Sequence, residues 1–130
     1  MVTKVALICL KDKKLLIVHK KIIDMYISPG GKIKDKESDY NCLKREINEE
    51  LDCDIQNIRY WDTFHDKIYE TNEPLELRCY LGNLNGKIKL NPKDNIDGYL
   101  WINRNYDKNI NLANLLKHKI IPNLMDKELM

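Results

Sequence analysis

Hydrophobic and polar positions divide this chain into short segments with two different periods. Val2 to Leu10 is nearly continuous apolar sequence, with Val5, Leu7 and Ile8, as in a buried strand. Lys11-Asp12-Lys13 follows as a tight turn, and Leu15 to Val18 as the partner strand of a hairpin. Ser28-Pro29-Gly30-Gly31 breaks the pattern and leaves backbone groups open to close approach. From about Asp39 to Leu51 the period is helical. Leu43, Ile47 and Leu51 recur at every fourth position as one apolar stripe, and Ser38 stands where an N-cap belongs. Ile58 to Phe64 and Leu75 to Leu81 read as strands joined by a turn near Thr71-Asn72-Glu73-Pro74, and Gly86 to Leu90 and Tyr99 to Ile102 as two shorter strands. Leu112, Leu115, Leu116 and Ile120 mark a closing helix over Leu112 to Leu124, broken at Pro122. Strands before and after one central helix, with a last helix at the end, predict a single α+β sandwich domain over residues 1–130.

Composition narrows the function more than the fold. At 130 residues, 43% hydrophobic and 32% charged, the chain reads as one ordinary globular domain. Its 22 basic and 20 acidic residues leave a net charge of +2, without the clustered basic surplus that binding to a long nucleic acid requires. Single nucleotides need only a few local cations and stay open. No apolar run approaches a membrane span, and the N-terminal segment lacks a small-residue cleavage site, so a strand is expected there rather than a signal peptide. Cys9, Cys42, Cys53 and Cys79 are scattered without a Cys-x-x-Cys pair, which predicts reduced, buried thiols in a cytoplasmic protein.

The chemistry concentrates in Arg45-Glu46-Ile47-Asn48-Glu49-Glu50. On a helix Glu49 and Glu50 lie three and four residues beyond Glu46, so all three carboxylates leave one fan of the surface while Leu43 and Ile47 turn toward the core. Like charges at this spacing cost about 0.2–0.5 kcal/mol per pair, a cost that a cation reverses. Hard divalent ions favour carboxylate oxygens, and such ions can neutralise a diphosphate and activate a water.

Gly31, Glu37, Arg45, Glu46, Ile47, Glu49 and Glu50 together resemble the Nudix box, Gly-x5-Glu-x7-Arg-Glu-U-x-Glu-Glu-x-Gly-U, where U is a bulky aliphatic residue. Every charged position of that pattern is met between Gly31 and Cys53, and Pro29-Gly30 resembles the loop that usually precedes it. Asp52 stands in place of the usual glycine and Cys53 in place of the aliphatic residue; aspartate can take the left-handed conformation of a helix C-cap, though less readily than glycine.

The resemblance, closest to MutT-type members, implies an α/β/α sandwich with a mixed central sheet and the box as a loop–helix–loop. It implies Glu49 and Glu50 as the main Mg²⁺ or Mn²⁺ ligands, Glu46 as ligand or base toward the attacking water, and the Gly30 carbonyl as a further ligand. Glu37 and Arg45 are implied as an ion pair fixing loop to helix, and Asp94 or Asp97 as a further carboxylate ligand. Lys20 and Gly31 are implied at the substrate, and Asn114 resembles the asparagine with which MutT reads an oxidised guanine. The implied reaction is hydrolysis of a nucleoside diphosphate linked to another moiety, first of all a (d)NTP. Alternatives are ADP-ribose, dinucleoside polyphosphates or nucleotide sugars, and a nucleotide-sensing module without catalysis. The implied partner is a small nucleotide rather than a membrane, in a monomer or homodimer.

Overall fold

The computed structural model describes residues 1–130 and contains two sheets that contribute together to two hydrophobic clusters. β1 (Val2–Ile8) leads through β2 (Leu10–Lys11) into β3 (Lys14–Lys20). Asp12 and Lys13 both have positive φ, 53° and 61°, the backbone twist that a two-residue hairpin turn requires. A short 3₁₀ turn, Lys21–Ile23, precedes β4 (Met25–Ile27) and β5 (Gly30–Lys32). α1 (Asp39–Leu51) is followed by the long hairpin β6 (Asp54–Lys67) and β7 (Pro74–Asn85), then β8 (Ile96–Ile102).

The first sheet has the order β5-β1-β7-β6 and is mixed: β1 and β7 run parallel, the other neighbours antiparallel. In the second, antiparallel sheet, β3 is paired along its length by β8 and at its ends by β2 and β4. Successive residues of a strand face opposite ways, and β1 uses both faces. Val5, Leu7 and Cys9 join Leu16 and Val18 of β3 in a cluster with Cys42, Leu43, Ile47 and Leu51 of α1. Ala6 and Ile8 join Leu15 and Ile17 in a second cluster with Leu112 and with Leu116, Ile120 and Leu124 of the C-terminal helical segment. Leu112 forms an isolated bridge to Tyr26 ahead of the last helix rather than opening it. Helices therefore cover both faces, which makes the expected α/β/α sandwich with a mixed sheet.

α1 matches its expected limits. Ser38 Oγ accepts the Asn41 N–H at 3.1 Å, a cap worth about 1 kcal/mol. The helix ends at Asp52, which takes the left-handed conformation (φ 56°, ψ 35°) and returns its N–H to Asn48. The aspartate thus does the work of the usual glycine.

Two expectations are corrected. Gly86 to Leu90 is not a strand: Ile88 and Leu90 pack against the core from irregular backbone, and the Lys89 N–H bonds to Leu51 O at the end of α1. Nor does Pro122 break the last helix. A π-helical segment, Leu116–Ile120, comes first, and α2 (Ile121–Asp126) continues through Pro122. The Ile121 N–H reaches Leu116 O, five residues back, so the helix is locally widened beside Pro122, which has no N–H to place. All four cysteines are buried. No helix is long and apolar enough to cross a membrane.

Candidate active site

The site forms where β5 meets the side of α1. Gly30 has φ 142°, and a Cβ there would lie 2.0 Å from Val5 O, so only glycine fits between β1 and the loop. Its N–H donates to Glu50 Oε1 at 3.1 Å. A Cβ on Gly31 would lie 2.4 Å from Glu46 Cδ and 2.5 and 2.7 Å from the two carboxylate oxygens. The Gly30-Gly31 pair is therefore the surface against which Glu46 and Glu50 are seated.

Glu50 is 7% exposed, and burial raises its pKa well above the ordinary carboxylate value; the Gly30 N–H opposes this, while Glu46 and Asp94 add to it. Burial raises Glu46 as well, against the pull of Arg45. A nearly buried carboxylate with a single backbone donor is an unfavourable arrangement that a cation would relieve.

Arg45 organises the loop. Its Nε and Nη2 donate to the Glu37 carboxylate at 2.8 and 2.9 Å, its Nη2 to Lys32 O at 3.2 Å, and its Nη1 to Glu46 Oε1 at 2.7 Å. Glu37 also accepts the Lys34 N–H at 3.0 Å, and the guanidinium holds its carboxyl at about 2. The expected Glu37–Arg45 ion pair is present as a two-point clamp. Glu49 is exposed, 3.7 Å from Arg45 Nη1. No three His, Cys, Asp or Glu groups gather around one point: Glu46 is turned to Arg45 and Glu50 to Gly30. A closed cage is not what Mg²⁺ needs beside phosphates, since it takes one or two carboxylates and fills its shell from substrate and water. The oxygen-only donors Glu46, Glu49 and Glu50 fit that hard ion.

The two downstream carboxylates separate. Asp94 is half-buried in the loop before β8 and adds negative potential to both Glu46 and Glu50. Asp97 instead accepts from His19 Nδ1 at 2.5 Å, and its pKa is lowered by that bond. His19 Nε2 reaches Asp24 at 2.8 Å, so the ring bridges two carboxylates and its pKa is raised, chiefly by Asp97 and then by Asp24.

Lys20, at the end of β3, pairs with Glu70 of the β6–β7 turn at 3.7 Å and lowers the Glu50 pKa from nearby. Asn114 lies apart from the carboxylates, in a groove of about 280 Å³ with His65, Asp66, Leu115, His118 and Lys119. Its neighbour Ala113 donates its N–H to Tyr26 O of β4 at 3.0 Å, tying this end of the helical segment to the strand beside Lys20. Lys4 and Glu70 are additions that sequence reasoning passed over. Lys4 had one local signal, a charge inside an otherwise apolar strand; Glu70, in a polar turn, had none.

The chain matches the family model described as NUDIX domain over residues 1–120. It is 33% identical over 104 residues to the mRNA-decapping protein D10 of fowlpox virus (strain NVSL), an alignment covering 72% of this chain and 46% of that protein. The chain thus spans less than half the length of that relative. Among solved structures, the E. coli ORF135 protein superposes with a TM-score of 0.80 at 19% identity, covering 98% of this chain and 91% of the other. A MutT protein from Bacillus halodurans gives 0.72 at 18% identity, covering 94% and 80%. A MutT NUDIX hydrolase from Burkholderia pseudomallei gives 0.70 at 19%, covering 77% and 81%. These likenesses confirm the fold; the match over residues 1–120, which includes the loop and helix holding Glu37, Arg45, Glu46, Glu49 and Glu50, makes this chain a member of the NUDIX hydrolase family.

Proposed function

We propose that the protein is a Mg²⁺-dependent pyrophosphohydrolase of (d)NTPs, of the house-cleaning kind, with Mn²⁺ as a substitute ion. The observation that carries this reading is the seating of the Glu46 and Glu50 carboxylates on the Gly30-Gly31 backbone, one buried and one half-buried, with no lysine or arginine paired to Glu50. Glu46, Glu49 and Glu50 would hold the metal, with the Gly30 carbonyl and Asp94 as further oxygen donors; Asp97, engaged by His19, is set aside. The bound ion supplies charge neutralisation on the diphosphate and acidifies a water. Glu46, where it is not itself a ligand, would accept a proton from the attacking water as the water oxygen bonds to phosphorus and the anhydride P–O bond breaks, with the electron pair leaving on the departing phosphate. Glu37 and Arg45 keep the loop on the helix, and Lys20 contacts a phosphate. Asn114, beside the Ala113 that bonds to β4, would meet the base. Four buried thiols without metal-ligand spacing suit a reducing, cytoplasmic setting.

A second reading, hydrolysis of a dinucleoside polyphosphate, is favoured by the 33% identity to a protein named for mRNA decapping, since a cap is a dinucleoside triphosphate. A nucleotide panel with Mg²⁺ separates the two: turnover of dNTPs, of dinucleoside polyphosphates, or of neither. Glu50→Gln tests the site itself. The amide oxygen can still accept the Gly30 N–H, so the melting temperature stays near that of the wild type. Losing a ligand to a Lewis acid worth several kcal/mol lowers kcat on the order of 10³-fold. Wild-type turnover by this variant refutes the assignment.

A further inference from the structure

Lys4 is a half-buried lysine that no carboxylate pairs directly. It lies on β1 opposite Lys32 of β5 and two positions from Ala6, which pairs with Gly30, the residue that seats Glu50. Two strand residues span about 6.6–6.8 Å, so Lys4 borders the active site. Its side chain leaves the face of β1 shared with Ala6 and Ile8, away from α1. It is half-buried, yet its ammonium makes no hydrogen bond and no ion pair within 4 Å, unlike that of Lys20. Burial lowers its pKa first and the Lys20 ammonium second, while Glu70, Glu46 and Glu50 pull the other way. Lys4 lies opposite Leu77 of β7, the strand that the Glu70 turn leads into, and Lys20 reaches the same turn. The two ammonium groups thus approach one edge of the sheet and repel each other. The one carboxylate paired with either of them is Glu70, 3.7 Å from Lys20, on the turn that joins β6 to β7.

We propose that Lys4 and Lys20 together form a phosphate subsite, and that the Glu70 carboxylate occupies its edge until a phosphate of the substrate displaces it. The proposal rests on the diphosphate-hydrolase reading and adds Lys4 as a binding residue and Glu70 as a competitor. Glu46 and Glu50, which attract Lys4 after Glu70 does, also belong to the proposed metal-binding set. With cations on those two and a phosphate in place of Glu70, both ammonium groups face the phosphate. An anion between two partly desolvated cations is held by charge-assisted hydrogen bonds, about twice as strong as neutral ones.

The test measures binding of inorganic pyrophosphate with Mg²⁺ by calorimetry, for wild type, Lys4→Met, Lys4→Arg and Glu70→Gln, with a melting curve for each. Pyrophosphate is chosen because it carries no base, so the result does not depend on the nucleotide. Lys4→Met, which keeps the apolar stem, is expected to melt at or above the wild-type temperature and to bind about ten- to a hundred-fold more weakly. Lys4→Arg should recover most of that loss, and Glu70→Gln should tighten binding several-fold. Equal binding by wild type and Lys4→Met overturns the proposal, as does a loss in Lys4→Met that Lys4→Arg does not recover, or weaker binding by Glu70→Gln. Failure of the wild type to bind pyrophosphate overturns it too. The nucleotide panel keeps the two conclusions apart: turnover of a nucleotide together with full binding by Lys4→Met rejects the subsite and leaves the hydrolase standing.

Discussion

Substituting Gly31 by alanine isolates what the glycine contributes to the site. Its φ is not left-handed, so alanine meets no backbone strain there, unlike at Gly30. The new Cβ would lie 2.4 Å from Glu46 Cδ and 2.5 and 2.7 Å from its oxygens, where ordinary contact is 3.4–4 Å. The carboxylate must therefore retreat by about 1 Å, a displacement that costs on the order of 10²-fold in rate when a reacting group is misplaced. That corresponds to about 2.7 kcal/mol of activation free energy. Stability moves less. A glycine-to-alanine change gains about 0.4–1 kcal/mol from the unfolded chain, which offsets part of a weakened Arg45–Glu46 contact. The expected result is a melting temperature within a few degrees of wild type and a kcat lowered roughly a hundredfold at saturating Mg²⁺. The same shift predicts coupling: shortening Glu46 to Asp should cost less in the Gly31→Ala background than in the wild type. Unchanged kcat in Gly31→Ala, or strictly additive effects in the double variant, would refute the claim that Gly31 exists to seat Glu46.

Two further predictions concern the frame around the site. Asp52→Gly relieves a left-handed non-glycine residue at the end of α1 and should stabilise the fold by about 1 kcal/mol, a rise of about 3–5 °C, with hydrolysis unchanged; no rise in melting temperature contradicts the cap reading. The His19–Asp97 bridge predicts a pH-dependent stability. His19 is raised above 6.5, so its contribution is complete below that value and is lost as pH climbs through the raised folded value. Asp97 is lowered below 3.8, so its contribution is present above 3.8 and is lost as pH falls through the lowered value. The melting-temperature deficit of His19→Asn should therefore be greatest near pH 5–6 and shrink by pH 9; a constant deficit across that range rejects the bridge.

The parts of the fold and site that were legible in sequence are those governed by local geometry. The stripe of Leu43, Ile47 and Leu51 follows from helical spacing and is buried as expected. The same spacing puts Glu46, Glu49 and Glu50 on one helix, though Glu46 turns to Arg45 and Glu50 to Gly30. The misread strand shows the limit of that logic. Ile88 and Leu90 alternate as a strand would, but alternation reports which side chains are buried, and here irregular backbone buries them while Lys89 spends its N–H on α1. Asp94, Asp97, Lys4 and Glu70 depend on pairings between distant segments that no local period encodes. The choice between Asp94 and Asp97 turned on His19, which β3–β8 pairing brings beside Gly98 and so within reach of one carboxylate and not the other. Lys4 lies in the same category, with one difference. A half-buried lysine in a mostly buried strand keeps its ammonium in water, beside a partner or beside a place where an anion comes. In this fold it has no partner, and the residue opposite its neighbour Ala6 is the glycine that seats Glu50. The side of β1 that carries Lys4 thus borders the glycine that seats Glu50.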